Sequence, residues 1–412
     1  MKSDLDHLMK ENNLDALLVA GPAGHNAAMT YFTGLAHLTH GYLIKKRDQE
    51  PVLLHPPMER DEAARTGLKL KSLNEYDFLA LLKEADGDHI RASSGLLKQI
   101  LEDHAVSGRV ALYGKVELGG FYGALRMLDE AMPEVELVGE PGMKSTIRKA
   151  RATKDVEEVE RIRAMGMITT SVMGEVAEFL VSHDVRDGVL VNEDGEALTV
   201  GDVKRRINLW LAVRGAENPH ETIFAIGRDA GVPHSTGTSG DRIELGKTIV
   251  FDIFPSEAGG GYFYDMTRTW SLGYATDEAL KVYEDVLEVY EKVYAAMVPQ
   301  KPCRDIQLLT CELFEEMGHP TVLSNPKTEE GYVHSLGHGL GLDLHESPAF
   351  SQAESNTDLL LPGSVVTVEP GLYYPDRGIG VRIEDSTWMG PEGKLEILAD
   401  YPKDFVLKMR SS

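Results

Sequence analysis

The chain has only two cysteines and three tryptophans among 412 residues, and it is short of positive charge, with 42 Lys and Arg against 66 Asp and Glu. Each scarcity excludes something. Two thiols, Cys303 and Cys311, cannot staple a chain of this length, so its stability must come from hydrophobic cores. The thiols are expected to be reduced, as in the cytoplasm. A formal net charge of −24 repels a phosphate backbone and an anionic bilayer, so neither nucleic acid nor membrane is an expected partner. No unbroken apolar run nears the roughly 20 residues that span a bilayer. The opening MKSDLDHLMKENN lacks the apolar centre of a secretion signal. There is no G-x-x-x-x-G-K-[ST] phosphate loop and no G-x-S-x-G elbow, so a serine nucleophile has no support.

What is present is the composition of an ordinary globular protein, 42% hydrophobic and 26% charged. The length exceeds one hydrophobic core, and two domains are expected. Acidity is uneven between them. Residues 1–150 carry 18 basic and 22 acidic side chains, and residues 151–412 carry 24 and 44. Such a surplus is either a solvated surface or a cation site, and the position of the carboxylates decides which.

In the first part, the apolar segments 16–20, 42–44, 52–54 and 110–113 read as strands, interleaved with helical patterns over 57–66, 76–85 and 92–103. That alternation predicts an α/β domain over residues 1–152. The polar stretch 149–155 leads into a long helix from about 154 to 181, so a second domain is expected over 153–412.

The second part echoes itself. Helices at 154–181 and 202–214 precede the strand IELGKTIVFDIFP, and helices at 276–297 and 304–317 precede LLLPGSVVTVEPG. Gly246 stands six residues before Asp252, and Gly363 six before Glu369. A second strand follows in each half, 262–270 with Asp265 and 381–388 with Glu384. His234 and His345 hold matching places upstream. Two such halves imply an α+β domain with a pseudo-twofold axis and a site fed by both.

Asp252, Asp265, Glu369 and Glu384 are each flanked by strand-forming apolar residues. A carboxylate buried on such a strand costs several kcal/mol unless a cation or hydrogen bonds compensate it. Four at matching positions call for more positive charge than Arg268 and Arg382 carry. In YVHSLGHGLGLDLHESP, three histidines, His334, His338 and His345, fall within twelve residues. Gly337, Gly339 and Gly341 rule out the zinc-peptidase helix that would place two of them on one face, and one histidine in a Gly-rich strand or turn fits as a ligand. Four carboxylates and an imidazole suit a pair of divalent ions with shared carboxylates. The donors favour Mn²⁺, Co²⁺ or Fe²⁺, with Zn²⁺ also compatible. Two such ions about 3.5–4 Å apart hold a bridging water as hydroxide and polarise a carbonyl, the chemistry of amide hydrolysis.

The ordered set Asp252, Asp265, His338, Glu369 and Glu384, in the segments DMTRT, HSLGHGLGLDLHE, TVEPG and GVRIED, resembles the pita-bread metallopeptidases, most closely the Xaa-Pro dipeptidase (prolidase) and aminopeptidase P group. YFTG (31–34) and IRKARATKDVEEVERIR (147–163) are similar to that family's creatinase-like N-terminal domain and interdomain segment. The resemblance implies that two divalent metals, Mn²⁺ first, are held by Asp252 on one side and His338 with Glu369 on the other, with Asp265 and Glu384 bridging. It implies that Glu369 also shuttles the proton of the attacking water and that His345 and His234 steady the scissile carbonyl. His334 would line the proline side, and Arg382 would orient a ligand. A small peptide substrate, a homodimer and a cytoplasmic location follow from the same likeness. Asp252 and Asp265 lie thirteen residues apart where the family more often has eleven. The extra residues fall in SEAGGG (256–261), expected to form a flexible turn, and Phe254-Pro255 stands where the family has smaller residues. That departure keeps open a small non-peptide amide as the substrate, and a purely binding role would be expected only if ligands were missing.

Overall fold

A computed structural model describes residues 2–410. The chain divides into two compact units, one holding the residues up to Arg151 with Gly259–Gly261, the other Ala152–Ala258 with the residues from Tyr262 onward.

The first unit is built on the strand Ala16–Ala20, whose five apolar residues are all buried. It runs antiparallel to Tyr42–Lys46 and parallel to Gly108–Gly114, so that Leu18 faces Ile44 on one side and Leu112 on the other. A strand paired on both edges, with its faces covered, needs no alternation, which explains the unbroken apolar run. The whole sheet is six-stranded and mixed, in the order 69–72, 52–55, 42–46, 16–20, 108–114, 135–138. The expected helix at 76–85 forms as Phe78–Glu84, where the Asp77 side chain accepts from the Ala80 N–H. The expected helix at 92–103 forms as His89–Asp103, capped by Asp88. The stretch 57–66 is only a 3₁₀ turn and the short helix Arg60–Ala64. Two edge strands, Lys69–Ser72 and Val135–Val138, and the helix Leu118–Ala131 were not anticipated. The sequence of the first strand, KLKS, is half charged because its outer edge meets water.

The second unit carries the repeated halves. Its first helix, Val156–Val181, starts at a capping box in which Asp155 and Glu158 satisfy each other's backbone N–H groups. By length and composition this helix could cross a membrane, contrary to the sequence expectation. An unbroken-run criterion misses it because Glu175 and Glu178 interrupt the apolar stretch. Its Val159, Ile162, Met165, Val172, Val176 and Leu180 are nonetheless buried against the rest of the unit. The helix Val200–Val213 follows, and the second half supplies Asp277–Ala296 and Cys303–Glu316.

Each half contributes a sheet centred on an antiparallel pair. Thr248–Ile253 lies beside Met266–Leu272, and Val365–Val368 beside Asp385–Met389. The sheets have four and five strands. One expectation fails here: 381–388 is not a single strand. Ile379–Arg382 pairs with Gly371–Tyr374 in a separate ribbon, and the chain then bends through Ile383 and Glu384 before Asp385 joins the larger sheet. Apolar alternation runs straight through the bend, so nothing in the pattern marks it.

Candidate metal centre

Where the central strands begin and end determines where the acidic residues point. Asp252 sits inside its strand opposite Thr267. Asp265 immediately precedes Met266–Leu272, Glu369 immediately follows Val365–Val368, and Glu384 occupies the bend before Asp385. Strand ends release the backbone from strict alternation, so carboxylates from both halves can turn toward one point. His338 reaches it from the short strand His338–Gly339. The glycines around it are close-approach residues: a Cβ at Gly337 would lie 2.1 Å from the Thr367 carbonyl oxygen, so this strand could not otherwise lie against Val365–Val368.

All nine residues expected to form the site, Asp252, Asp265, His338, Glu369, Glu384, His334, His345, His234 and Arg382, line one cavity of about 440 Å³. Cavities of about 680 and 930 Å³ exist elsewhere but contain none of these residues. Donor atoms of Asp265, His338 and Glu384 lie within 4.8 Å of one another. His338 Nε2 is 3.3 Å from Glu369 Oε1 and 3.7 Å from Asp265 Oδ2. His338 Nδ1 is 3.1 Å from the Gly339 carbonyl, which accepts the ring proton and leaves the Nε2 lone pair aimed at the carboxylates. Asp252 is drawn to Arg382, whose Nη2 donates to Oδ2 at 2.5 Å.

Three buried carboxylate oxygens, Asp252 Oδ1, Asp265 Oδ1 and Glu384 Oε1, have no hydrogen-bond partner. An orphaned buried acceptor costs on the order of 1–3 kcal/mol, more when charged. Here two of them belong to Asp265 and Glu384, whose side chains converge with that of His338, and the third belongs to Asp252, which lines the same cavity. Four carboxylates and one neutral imidazole form a set of oxygen donors and one nitrogen that fits hard or borderline divalent cations.

The electrostatics agree. Without a cation, burial first and then the charges of neighbouring carboxylates hold Asp265 and Glu384 well above the usual carboxylate range. Burial pushes Glu369 up to about 8. It also pushes His338 and His334 down to about 3, so both are neutral. Neutral histidine and ionised carboxylate are the forms that ligate metals, and a cation reverses the carboxylate shifts.

Apart from Arg382, the residues that support the cluster were not legible from the sequence. Thr267 Oγ1 donates to Glu384 Oε2 at 2.6 Å and accepts from Arg382 Nε at 3.1 Å. Thr367 Oγ1 donates to Glu369 Oε1 at 3.0 Å and accepts from the His338 N–H at 3.0 Å. Arg382 also donates to the Tyr373 hydroxyl, which contacts His334 Nε2 at 2.8 Å. Beneath Glu384, the buried Arg268 guanidinium donates to five oxygens: the carbonyls of Thr267, Glu384, Tyr401 and Pro402, and Asp385 Oδ1. Lys154 and Glu346 make a second buried ion pair at 2.9 Å, next to His345 in the chain. Threonine is a common strand residue, so Thr267 and Thr367 read as ordinary strand positions, and the lysine and arginine pair with residues more than a hundred positions away. His220, also lining the cavity, stands in no motif.

His234 and His345 are exposed at the rim, the His345 ring 4.3 Å from that of His338. The hairpin at 256–261 is less free than expected. Arg161 grips Glu257 through Nε at 3.0 Å and Nη2 at 2.5 Å, and the Tyr262 hydroxyl donates to Glu158 at 2.6 Å.

Residues 160–390 match the Metallopeptidase family M24 and residues 2–152 the Creatinase/Prolidase N-terminal domain. The chain is 27% identical over 402 residues to a Xaa-Pro dipeptidase of Pyrococcus furiosus, covering 95% of this chain and 97% of that protein. It is 31% identical over 382 residues to an uncharacterized peptidase of Staphylococcus aureus, covering 90% and 92%. In fold it is similar to the crystal structure of an X-Pro aminopeptidase from Thermotoga maritima, with a TM-score of 0.75 and 23% identity over 97% of this chain and 99% of that one.

Proposed function

Because the chain belongs to metallopeptidase family M24, we propose that it releases the N-terminal residue from Xaa-Pro peptides, dipeptides first among them. The observation that carries this reading is the convergence of four carboxylates and a neutral histidine in one cavity, three carboxylate oxygens there having no partner. The proline specificity is that of the Pyrococcus furiosus relative. The catalytic work is assigned to residues 153–412 and a supporting role to residues 1–152.

Asp252 would hold one divalent ion and His338 with Glu369 a second, with Asp265 and Glu384 shared, Mn²⁺ being the first choice for both. When bound, such ions supply Lewis acidity toward the scissile carbonyl and make water a nucleophile near neutral pH. The protein's own groups do the rest. Glu369 accepts a proton from the attacking water on its carboxylate and returns it to the departing proline nitrogen as the C–O bond forms and the C–N bond breaks. His345 and His234 steady the carbonyl oxygen as it gains charge. Partial burial of the His345 ring, with His234 and His220 beside it, lowers its pKa and so favours the neutral form. His334, fixed by Tyr373, lines the proline side. Arg382 holds Asp252 directly and Glu384 through Thr267.

The same family likeness supports a homodimer and a cytoplasmic location. Cys303 and Cys311 are free and buried, their thiols pushed up by burial to about 12 and about 11, which suits thiols that stay reduced. Chelator-stripped protein reloaded with Mn²⁺ should release leucine from Leu-Pro, and the stripped protein should not. Release from Leu-Pro-Ala alone would move the assignment to aminopeptidase P, and release from neither peptide would refute the proposal.

A further inference from the structure

The helix Cys303–Glu316 buries a stripe of Cys303, Ile306, Thr310, Cys311 and Phe314. Gln307 stands in the middle of that stripe and is 0% exposed. A buried amide costs on the order of 1–3 kcal/mol for each polar group left unpaired, so where its bonds go matters.

They go to one short piece of chain. Gln307 Oε1 accepts from the Leu336 N–H at 2.6 Å and from the Tyr332 hydroxyl at 3.1 Å. Its Nε2 donates to the His334 carbonyl, a longer contact of 3.4 Å, and faces Cys311 Sγ at 3.7 Å. A backbone N–H on one side and a carbonyl on the other fix which end of the amide is oxygen. Residues 333–337 belong to no strand, so their backbone groups lack the partners a sheet would supply. The glutamine amide stands in for a neighbouring strand, giving residue 336 an acceptor and residue 334 a donor.

Leu336 passes the restraint on. Its carbonyl accepts from the Glu369 N–H at 2.8 Å, so the residue is tied to Gln307 at one end and to Glu369 at the other. His334 is held as firmly. Its carbonyl meets Gln307, its ring lies edge-on to Tyr332 at 5.5 Å between centroids, and Nε2 contacts the Tyr373 hydroxyl at 2.8 Å. Tyr332 is itself buried and oriented by the same Gln307 oxygen. His334 and Glu369 reach the cavity from separate segments, and one side chain outside the cavity lining ties both segments together.

We propose that Gln307 is a positioning residue that sets the spacing between His334, on the proline side, and Glu369, which returns the proton to the proline nitrogen. This rests on the reading of the cavity as a Xaa-Pro peptidase site. The test compares Gln307→Met, similar in length but without the amide, with Gln307→Glu, which keeps an oxygen for Leu336 and Tyr332. Both are assayed on Leu-Pro at saturating Mn²⁺, with bound metal read by elemental analysis and folding by circular dichroism. Gln307→Met should lower kcat about tenfold to a hundredfold, with KM within about threefold of the wild type and bound metal unchanged. Gln307→Glu should restore most of the lost kcat. A Gln307→Met protein with wild-type kcat overturns the proposal, as does a loss carried by KM or a Gln307→Glu protein no better than Gln307→Met. Less bound metal in Gln307→Met also overturns it, because the fault then lies in the ligands themselves. Deuterium exchange of the same Mn²⁺-loaded proteins reads the tie without activity. The Leu336 amide should be protected in the wild type and in Gln307→Glu, and should exchange faster in Gln307→Met. A wild-type Leu336 amide that exchanges like an open loop overturns the proposal, even if Gln307→Met does not fold. If the wild type cleaves no Xaa-Pro peptide, the parent reading falls by itself and the exchange experiment alone judges the tie.

Discussion

Stripping the metal should make the second unit lose stability as the solution turns alkaline, the opposite of what neutral buried histidines alone would do. Glu369 is raised from 4.5 to about 8 in the folded chain. Below pH 4.5 both folded and unfolded forms hold its proton. Between 4.5 and 8 the unfolded chain ionises while the folded one does not, so stability falls as pH rises through that window. His334 and His338 are displaced downward from 6.5 to about 3, so they cost stability only as pH falls below 6.5 and oppose the glutamate there. From pH 7 to 8.5 the two effects separate. Integrating the linkage relation over that interval, the cost from Glu369 exceeds what the two histidines return, a net loss on the order of 1 kcal/mol. Asp265 and Glu384, displaced in the same direction as Glu369, deepen it. The assay is urea unfolding of chelator-treated protein at pH 7 and 8.5, followed by tryptophan fluorescence. Trp210, Trp270 and Trp388 all lie in the second unit, so the signal reports that unit. Glu369→Gln should reduce the slope because an amide does not titrate, leaving the part due to Asp265 and Glu384. Saturating Mn²⁺ should reverse it, since deprotonation then favours binding. A chelated wild type equally stable or more stable at pH 8.5 would refute the electrostatic account of the cluster.

Other substitutions separate ligands from their supports. Asp265→Ala should abolish turnover and lower bound metal, measured by elemental analysis, because it removes a shared carboxylate; retained activity would refute the sharing. His345→Ala should reduce turnover with bound metal near the wild-type level, and loss of metal would show that His345, not His338, is a ligand. Thr267→Val should weaken metal affinity roughly tenfold to a hundredfold through loss of the Glu384 and Arg382 contacts, read by competition with a chromogenic chelator. Arg268→Met should destabilise the second unit by about 3–5 kcal/mol in urea unfolding, because Asp385 loses a partner at 2.7 Å in a fully buried pair.

The proposed ligand set was legible because its chemistry is local. Asp252 among Ile249, Val250, Phe251 and Ile253 is a charge in an apolar strand wherever the strand lies, and the repeated spacing of Gly246 to Asp252 and Gly363 to Glu369 exposes two halves without coordinates. Helix boundaries were legible for the same reason. Thr276 caps Asp277–Ala296 through a side-chain bond to the Ala279 N–H three residues on, and Pro302 precedes Cys303–Glu316.

The chain's residue types and their order were enough to predict that charge is buried twice over in two similar halves, and that cations or hydrogen bonds have to compensate it. Tertiary structure alone decided which way those charges turn and what holds them. The bend at Glu384, the five-bonded Arg268 and the clamp of Arg161 on Glu257 join residues as much as 134 positions apart, and such pairings leave no periodic trace. Backbone propensity acts over a few residues, whereas the partner of a buried polar group is whatever the folded chain brings within 3 Å.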